Sequence, residues 1–368
     1  MERERTTTMS RQPISATLAG VGLLGASGTA SAHVKYVTPG GDSIAAMDFL
    51  VEALSDPFNL LVLGVSAGSL VVALALYLRF QPVTRDIESL REALVEYHDL
   101  LPWLLRLSIG LPLVGAGFSG YFFSPVFRPA ASTFVRLFGI TVGFLLLFGL
   151  ATRAVAALGL SAYVIGLVSN PSLLLAFEYL PGFIAIVLLG GGRPSADHVI
   201  AKMAADERTN YSRIDPFYRA VALPFESWVK PYVQFVPTVT RVGLGLAFIY
   251  LGLTQKLLSP GTALAVVAKY HLTEVVPVAP ELWVLGAGLV EMLVGVMLIA
   301  GAFTRLFSGV AILLFTTTLF GLPDDPVLAH ISLFGLVSAL IITGAGPFAF
   351  DTIRHGAESE APPSIVGE

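Results

Sequence analysis

Two ionisable residues stand inside otherwise apolar stretches of this chain. Glu291 lies within the run 282–302, and Lys256 lies near the end of the run 238–258. Because a charged side chain costs about 3 kcal/mol inside a bilayer, each needs a partner or a role. A carboxyl group can exchange a proton there, and an ammonium group can hold a carbonyl oxygen or a sulfur oxyanion. We therefore treat both as candidate catalytic residues. The structural alternatives are a protonated Glu291 bonded to a neighbouring helix and a Lys256 that reaches outward.

His330 is the third candidate catalytic residue. It stands near the start of the run 327–344, and its imidazole titrates near neutral pH. It could pass a proton to the outside or ligate a metal, but a hydrogen bond with Asp324 or Asp325 is an equally good explanation.

Three further polar residues are candidates for holding a cofactor. They are Tyr250, Gln255 and Arg305. The first two could add hydrogen-bond donors near Lys256. Arg305 follows Thr304 in a tight turn, where it also suits a helix cap that keeps positive charge on the inner side.

Residues 1–32 are typical of a secretory signal peptide. Basic residues precede an apolar run at 14–24, and Ala30-Ser31-Ala32 fits an A-x-A cleavage site. Cleavage would make His33 the first residue of the mature chain. A terminal histidine can bind copper through its amine and its ring nitrogen, so His33 is the candidate metal ligand, with His271 as a second ligand to consider. An uncleaved anchor is the alternative to cleavage.

The composition restricts the class of protein. Of 368 residues, 55% are hydrophobic and 13% are charged, and the mean hydropathy is +0.77, which indicates an integral membrane protein rather than a soluble enzyme. The net charge of -4 and the lack of a basic stripe argue against a nucleic-acid partner. The chain has no cysteine, so dithiol redox chemistry is excluded and electrons must come from a bound cofactor or substrate.

The apolar runs predict an all-α integral membrane protein with about nine transmembrane helices in a lipid bilayer. The runs are 58–79, 103–124, 132–151, 154–169, 172–191, 238–258, 282–302, 306–322 and 327–344. With the mature N-terminus outside, most Lys and Arg residues fall on the inner side. This predicts a multi-pass cell-membrane protein with a cytoplasmic C-terminus. Arg106 and Arg241, at the inner ends of two runs, are expected to anchor the topology on lipid phosphate.

The sequence also matches itself at a shift of 135 residues. This shift pairs Arg106 with Arg241 and Gly110 with Gly245, and a longer shift pairs Thr152-Arg153 with Thr304-Arg305. Each copy contains four runs, an even number, so both copies insert in the same direction. We therefore predict two parallel-repeat four-helix bundles, related by an axis along the membrane normal and preceded by one extra N-terminal span.

These patterns together predict the organisation of the chain. Its parts are a signal peptide (1–32), an extracytoplasmic segment (33–57), an extra transmembrane helix (58–79), a cytoplasmic linker (80–102), a first four-helix unit (103–197), a cytoplasmic interfacial connector (198–237), a second four-helix unit (238–351) and a cytoplasmic tail (352–368).

The second unit resembles the DoxX family of four-helix membrane proteins, and the first unit resembles it less closely. The resemblance rests on the opening Arg241-Val-Gly-Leu-Gly-Leu-Ala-Phe, Gly252 with Lys256 and Pro260, Glu291, Gly301 with Thr304-Arg305, His330 and the closing Gly-x-Gly-Pro-Phe-x-x-Asp. The first unit has Tyr121, Gly139 and Glu178 where the second has Lys256, Glu291 and His330. This divergence predicts a structural first unit and a functional second one.

The resemblance implies a membrane subunit that serves quinone-linked electron transfer, of the thiosulfate:quinone oxidoreductase or quinol oxidase-associated type. It implies quinone as the cofactor and a soluble redox subunit as a partner. Parallel repeats with charged residues at membrane depth also suit a small-solute or lipid transporter. A non-catalytic membrane scaffold for a partner protein is the third interpretation, so enzymatic activity is left open.

Overall fold

The computed structural model describes residues 36–38, 40–214 and 218–354, and these residues form helices and turns with one isolated bridge between Phe122 and Ser124. The predicted all-α class is confirmed. The predicted signal peptide, the candidate ligand His33 and the chain beyond residue 354 lie outside the described residues.

The α-helices are numbered here in chain order. They are α1 (Ala46–Ser55), α2 (Pro57–Phe80), α3 (Thr84–Val95), α4 (Leu101–Ser119), α5 (Ser132–Phe148), α6 (Thr152–Ser169), α7 (Tyr179–Leu189), α8 (Ala196–Ala205), α9 (Asn210–Ile214), α10 (Leu223–Val229), α11 (Val236–Leu251), α12 (Pro260–Lys269), α13 (Leu272–Val275), α14 (Pro280–Ala300), α15 (Thr304–Gly321), α16 (Val327–Thr343) and α17 (Phe350–Arg354). Helices α4 to α7 belong to the first predicted unit, and α11, α14, α15 and α16 to the second.

Six helical segments of the described chain are long and apolar enough to cross a membrane. They are Pro57–Phe80, His98–Ser119, Thr152–Ser169, Ala220–Leu257, Pro280–Ala300 and Thr304–Gly321. Three apolar helices, α5, α7 and α16, are shorter. The multi-pass membrane class is therefore confirmed, while the count of nine spans stays a prediction.

Two of the predicted runs are not uniform α-helices. The run 172–191 divides into a 3₁₀ segment, Pro171–Ala176, and the α-helix α7. Asn170 caps the 3₁₀ segment by accepting a hydrogen bond from the amide of Ser172. The run 238–258 ends in a π-helical turn, Gly252–Leu257. An apolar composition fixes the position of a span but does not distinguish these helix types.

Arg241 is buried inside the second unit, where it joins the end of α14 to the segment that follows α16. We call such a set of contacts the closure of a unit. The guanidinium group of Arg241 donates hydrogen bonds to the carbonyls of Ala345 (2.9 Å), Leu298 (3.2 Å) and Phe348 (2.7 Å), and to that of Ile299. The residue is 1% exposed. The last carbonyls of a helix have no partner within the helix, and a guanidinium group offers five donors.

Arg106 makes the equivalent contacts in the first unit. It is fully buried and donates to the carbonyls of Leu146 and Leu147, at the end of α5, and to that of Pro194. The expectation that Arg106 and Arg241 bind lipid phosphate is wrong. Both side chains point into their units because helix-end carbonyls need donors there.

An aspartate completes each closure. The carboxylate of Asp351 accepts hydrogen bonds from the amides of Phe303 (2.8 Å) and Thr304 (3.0 Å), at the start of α15. Asp197 accepts from the amides of Ala151 (2.6 Å) and Thr152 (2.8 Å), at the start of α6. A carboxylate at a helix N-terminus satisfies amides that have no intrahelical partner and interacts favourably with the helix dipole.

Glycines allow close packing within and between the units. In α11 and α14, a Cβ atom on Gly245 or on Gly295 would lie 2.6 Å from the carbonyl oxygen of the other residue. Between the units, Gly335 of α16 faces Ser108 of α4, and Gly243 of α11 faces Pro181 of α7. The first helix of each unit therefore packs against the last helix of the other. In a bilayer, close backbone approach of this kind supplies much of the association energy.

Residues 36–38 and 40–45 lie across one end of the bundle. Lys269 donates a 2.7 Å hydrogen bond to the carbonyl of Val37 in the second unit, and the hydroxyl groups of Tyr36 and Ser124 are 2.9 Å apart in the first. We call this end the N-terminal face and the opposite end, which carries residues 193–235, the connector face.

Candidate functional site

Lys256 and Glu291 meet in the second unit. The Nζ atom of Lys256 lies 2.6 Å from Oε1 of Glu291, and the two side chains are 17% and 22% exposed. Glu291 is near the middle of α14, roughly 16 Å along the helix from its first residue. A helix of this length and hydropathy is able to cross a membrane. Glu291 is therefore far from either end of its candidate span, whereas Lys256 lies one residue before the end of the span Ala220–Leu257.

The π-helical turn Gly252–Leu257 positions Lys256. At the first position of this turn, a Cβ atom on Gly252 would lie 2.8 Å from the carbonyl oxygen of Gly288 and 3.2 Å from Cβ of Glu291. The lack of a side chain lets α14 approach the turn closely. π-Helical turns are rare in proteins overall, but those that occur are frequently found at functional sites.

The two carboxyl oxygens of Glu291 differ in their hydrogen bonding, since only Oε1 contacts Lys256. Oε2 is buried and has no hydrogen-bond partner among the described residues. Buried polar atoms are nearly always bonded, since an unmade hydrogen bond costs about 1–3 kcal/mol. This oxygen could accept a proton or a hydrogen bond from a bound molecule.

The three candidate cofactor-binding residues lie in different places. Gln255 is buried in the π-helical turn and donates a 3.1 Å hydrogen bond to Oγ1 of Thr254. Tyr250 packs near the hydrophobic cluster of Leu175 and Leu251, where the two units meet. Arg305 donates to the carbonyls of Ile341 (2.9 Å) and Ile342 (3.3 Å), near the end of α16. Arg305 therefore lies at the connector face, at the other end of the unit from Lys256.

His330 occupies a second polar site near the N-terminal face. Its Nε2 atom lies 3.6 Å from Oδ2 of Asp325, and both side chains are almost completely buried. Its Nδ1 atom lies 3.4 Å from the carbonyl oxygen of Pro326. The other predicted partner, Asp324, instead contacts Lys269 and Tyr270. The pair His330–Asp325 is thus enclosed, while Asp324 is at the surface.

The first unit contributes to the same polar site. Glu178 is 5% exposed and accepts a 3.1 Å hydrogen bond from Oγ of Ser332. The phenol of Tyr36 covers this region, and its burial raises its pKa well above the ordinary value, with the nearby charges of Glu178 and Asp325 adding to the effect. We define the inter-unit cluster as Tyr36, Ser124, Glu178, Asp325, His330 and Ser332.

The sequence indicates Glu178 as a divergent counterpart of His330 and as a partner for Arg136, but not that Glu178 and His330 belong to one cluster. In the structure Arg136 donates instead to the carbonyl of Phe118 (3.0 Å). The available signal was the equivalence of Glu178 and His330. The two residues stand at corresponding positions of the self-match, and Ser332, two residues after His330, bonds Glu178 in the structure.

A metal site with three converging ligands is absent from the described residues: no group of three or more His, Asp or Glu side chains could hold an ion there. His271, the second ligand considered for copper, is exposed at the surface, 3.6 Å from Glu274. With His33 outside the described residues, copper binding stays a prediction.

Comparison with known proteins identifies one domain. The DoxX family model matches residues 236–331, from the start of α11 into α16. The matched segment contains Lys256, Glu291 and His330. No curated protein and no solved structure matches the chain. Because the family model matches the second unit and not the first, the two-copy arrangement stays a prediction. Residues 236–331 are therefore similar to the DoxX family over this segment.

Proposed function

We propose that this protein is a membrane subunit that serves quinone-linked electron transfer, and that Lys256 and Glu291 form its quinone-binding site. The observation that carries the proposal is the 2.6 Å ion pair at mid-helix in α14, with the second oxygen of Glu291 buried and without a partner among the described residues.

A buried ion pair of this kind is a poor stabiliser of the fold. Removing two charges from water costs several kcal/mol each, and apolar replacements of buried pairs are often neutral or stabilising. Ionisable residues within membrane spans are therefore markers of pathways, relays and binding sites. A purely structural contact between α14 and the π-helical turn would be made at lower cost by apolar side chains.

The residues fit a lipid-soluble ligand. Exposures of 17% and 22% leave the pair accessible at the side of the unit, where a molecule dissolved in the bilayer can approach. Lys256 has three donors, so its ammonium group can hold a carbonyl oxygen while it contacts Glu291. A bound quinone would supply the redox chemistry that a chain without cysteine lacks.

Protons would be handled by residues of the chain. The second carboxyl oxygen of Glu291, which is buried and has no partner among the described residues, would be the position for a proton when Lys256 turns to a ligand. His330 and Asp325, near the N-terminal face, would hold a proton at the boundary with water. With the connector face in the cytoplasm, as the charge distribution favours, that boundary is the outer one and a soluble redox subunit would dock outside.

The test is organic extraction and mass spectrometry of the gently purified protein. We expect a stoichiometric quinone in the wild type and its loss in the double variant Lys256→Met, Glu291→Gln. The matched control removes the exposed ion pair of Lys269 and Asp324 by Lys269→Met, Asp324→Asn, and should retain the quinone. Folding of each variant is checked by its elution in size-exclusion chromatography.

An absence of quinone from the wild type would contradict the proposal and favour transport or scaffolding. Retention of quinone in the folded Lys256→Met, Glu291→Gln variant would place any quinone site elsewhere.

A further inference from the structure

A groove of about 590 Å³ opens at the connector face of the first unit. Its apolar lining includes Trp103, Leu147, Phe148 and Val199. Its polar rim is formed by Arg193 and His198, among others. The groove is separate from the ion pair of the second unit and from the inter-unit cluster.

The apolar lining lies where helices of the bundle end. Trp103 is in the first turn of α4, and Phe148 is the last residue of α5. Phe148 is 68% exposed and Val199 57% exposed, so the groove offers apolar surface to its surroundings rather than to the core. Tryptophan at the end of an apolar helix is typical of the boundary between hydrocarbon and water. The groove therefore has the position of a lipid-contacting surface.

The rim of the groove is cationic. Arg193 is exposed, and Lys202 lies one turn beyond His198 in α8. Partial burial lowers the pKa of His198, and the charges of Arg193 and Lys202 lower it further. The adjacent carboxylate, Asp197, is already bonded to two amides at the start of α6.

We propose that this groove is a binding site for an anionic phospholipid. The lipid phosphate lies against Arg193 and His198, and an acyl chain follows Phe148 and Trp103. A cationic rim favours a headgroup with net negative charge, and each Lys or Arg at a membrane surface strengthens such binding by about fivefold. A zwitterionic headgroup gains much less, because its own ammonium group opposes the rim.

Trp103 provides a local probe of this site. The chain has three tryptophans, so the variant Trp228→Phe, Trp283→Phe leaves Trp103 as the fluorophore. The protein in neutral detergent is titrated with phosphatidylglycerol or phosphatidylcholine carrying the same brominated acyl chains, which quench a contacting indole. We expect phosphatidylglycerol to quench Trp103 at about fivefold lower mole fraction.

The substitution Arg193→Gln in this single-tryptophan protein should abolish the preference for phosphatidylglycerol. Arg208→Gln makes the same charge change at an exposed position outside the groove lining and should keep the preference. Equal quenching by the two lipids in the parent protein would overturn the proposal. So would a preference that survives Arg193→Gln, and far-UV circular dichroism verifies that each variant is folded.

Discussion

Ser332 and Glu178 join the two units near the N-terminal face, through a 3.1 Å hydrogen bond from Oγ of Ser332 to Oε1 of Glu178. Both residues are buried. Ser332 lies two residues after His330 in α16, so the hydrogen bond and the His330–Asp325 contact arise from the same turn of helix. The interface between the units is therefore polar near this face and closely packed through Gly335 and Gly243 further along the helices.

We expect Ser332→Ala to lower the free energy of unfolding by about 1–3 kcal/mol, because it removes a donor from a buried carboxyl group. Thermal unfolding in detergent measures the change. The control is Ser161→Ala, since Ser161 is exposed and its hydroxyl bonds only to Ala157 of its own helix among the contacts described. Equal losses of stability in the two variants would contradict the importance of the inter-unit bond.

Gly295→Ala should destabilise the second unit. The added methyl group would meet the carbonyl oxygen of Gly245 at 2.6 Å, and overpacking of this kind costs about 1–3 kcal/mol. Gly309→Ala is the matched control, because no atom lies within 4 Å of the added Cβ in α15. Alanine there should be neutral or stabilise the helix by up to about 1 kcal/mol. Unfolding by denaturant distinguishes the two, and a neutral Gly295→Ala would refute the close contact.

Arg241→Lys separates charge from hydrogen bonding. Lysine keeps the positive charge but cannot reach several carbonyls with a planar fork of donors. We expect a loss of at least about 2 kcal/mol, because the carbonyls of Leu298 and Phe348 lose their donor. Arg208→Lys, at an exposed position, should leave stability unchanged. A fully stable Arg241→Lys protein would mean that charge alone is needed at this position.

The contact between Lys269 and Asp324 predicts a dependence of stability on pH. Hydrogen bonds from Lys269 and then Tyr270 lower the pKa of Asp324 below its ordinary value of 3.8. Its contribution is therefore fully present above pH 3.8 and is lost as the pH falls through the lowered pKa. The hydrogen bond to Asp324 raises the pKa of Lys269, so that contribution is lost in strong alkali.

The melting temperature of Asp324→Asn measures this effect. At neutral pH the variant should melt below the wild type, and the difference should disappear in acid below the pKa of Asp324. High salt should also reduce it, since the contact is exposed. Asp86→Asn, in the exposed helix α3, is the control. A difference that persists unchanged into strong acid would contradict the assigned ion pair.

The sequence was sufficient to locate the helices because an apolar run of membrane length has few alternative structures. Each predicted run is helical, usually within a few residues of its predicted ends. Lys256 and Glu291 could be singled out for a similar reason, since a charge within such a run is rare. Their direct contact depends on the π-helical turn at Gly252–Leu257, which no periodicity in an apolar segment indicates.

The contacts that Arg241 and Asp351 make at the connector face could not be predicted from the sequence. A position at the end of a run does not reveal whether Arg241 faces lipid or the unpaired carbonyls of neighbouring helices. The partners Asp351 and Thr304 are far apart in the chain, and only the packed unit brings the carboxylate to the amide. The inter-unit cluster is formed by side chains from both units. The spacing of Glu178 and His330 in the sequence therefore does not predict that they lie in one cluster.

The paired closures have a consequence for how the protein could be made. Arg106 with Asp197, and Arg241 with Asp351, complete each unit by contacts that do not pass through the backbone between residues 198 and 235. Two polypeptides divided near α9 would each retain a full set of these contacts. Assembly of the two halves would then depend on the affinity between the surfaces where the first and second units pack together. The covalent link in the natural chain would ensure that the two halves are present in equal numbers.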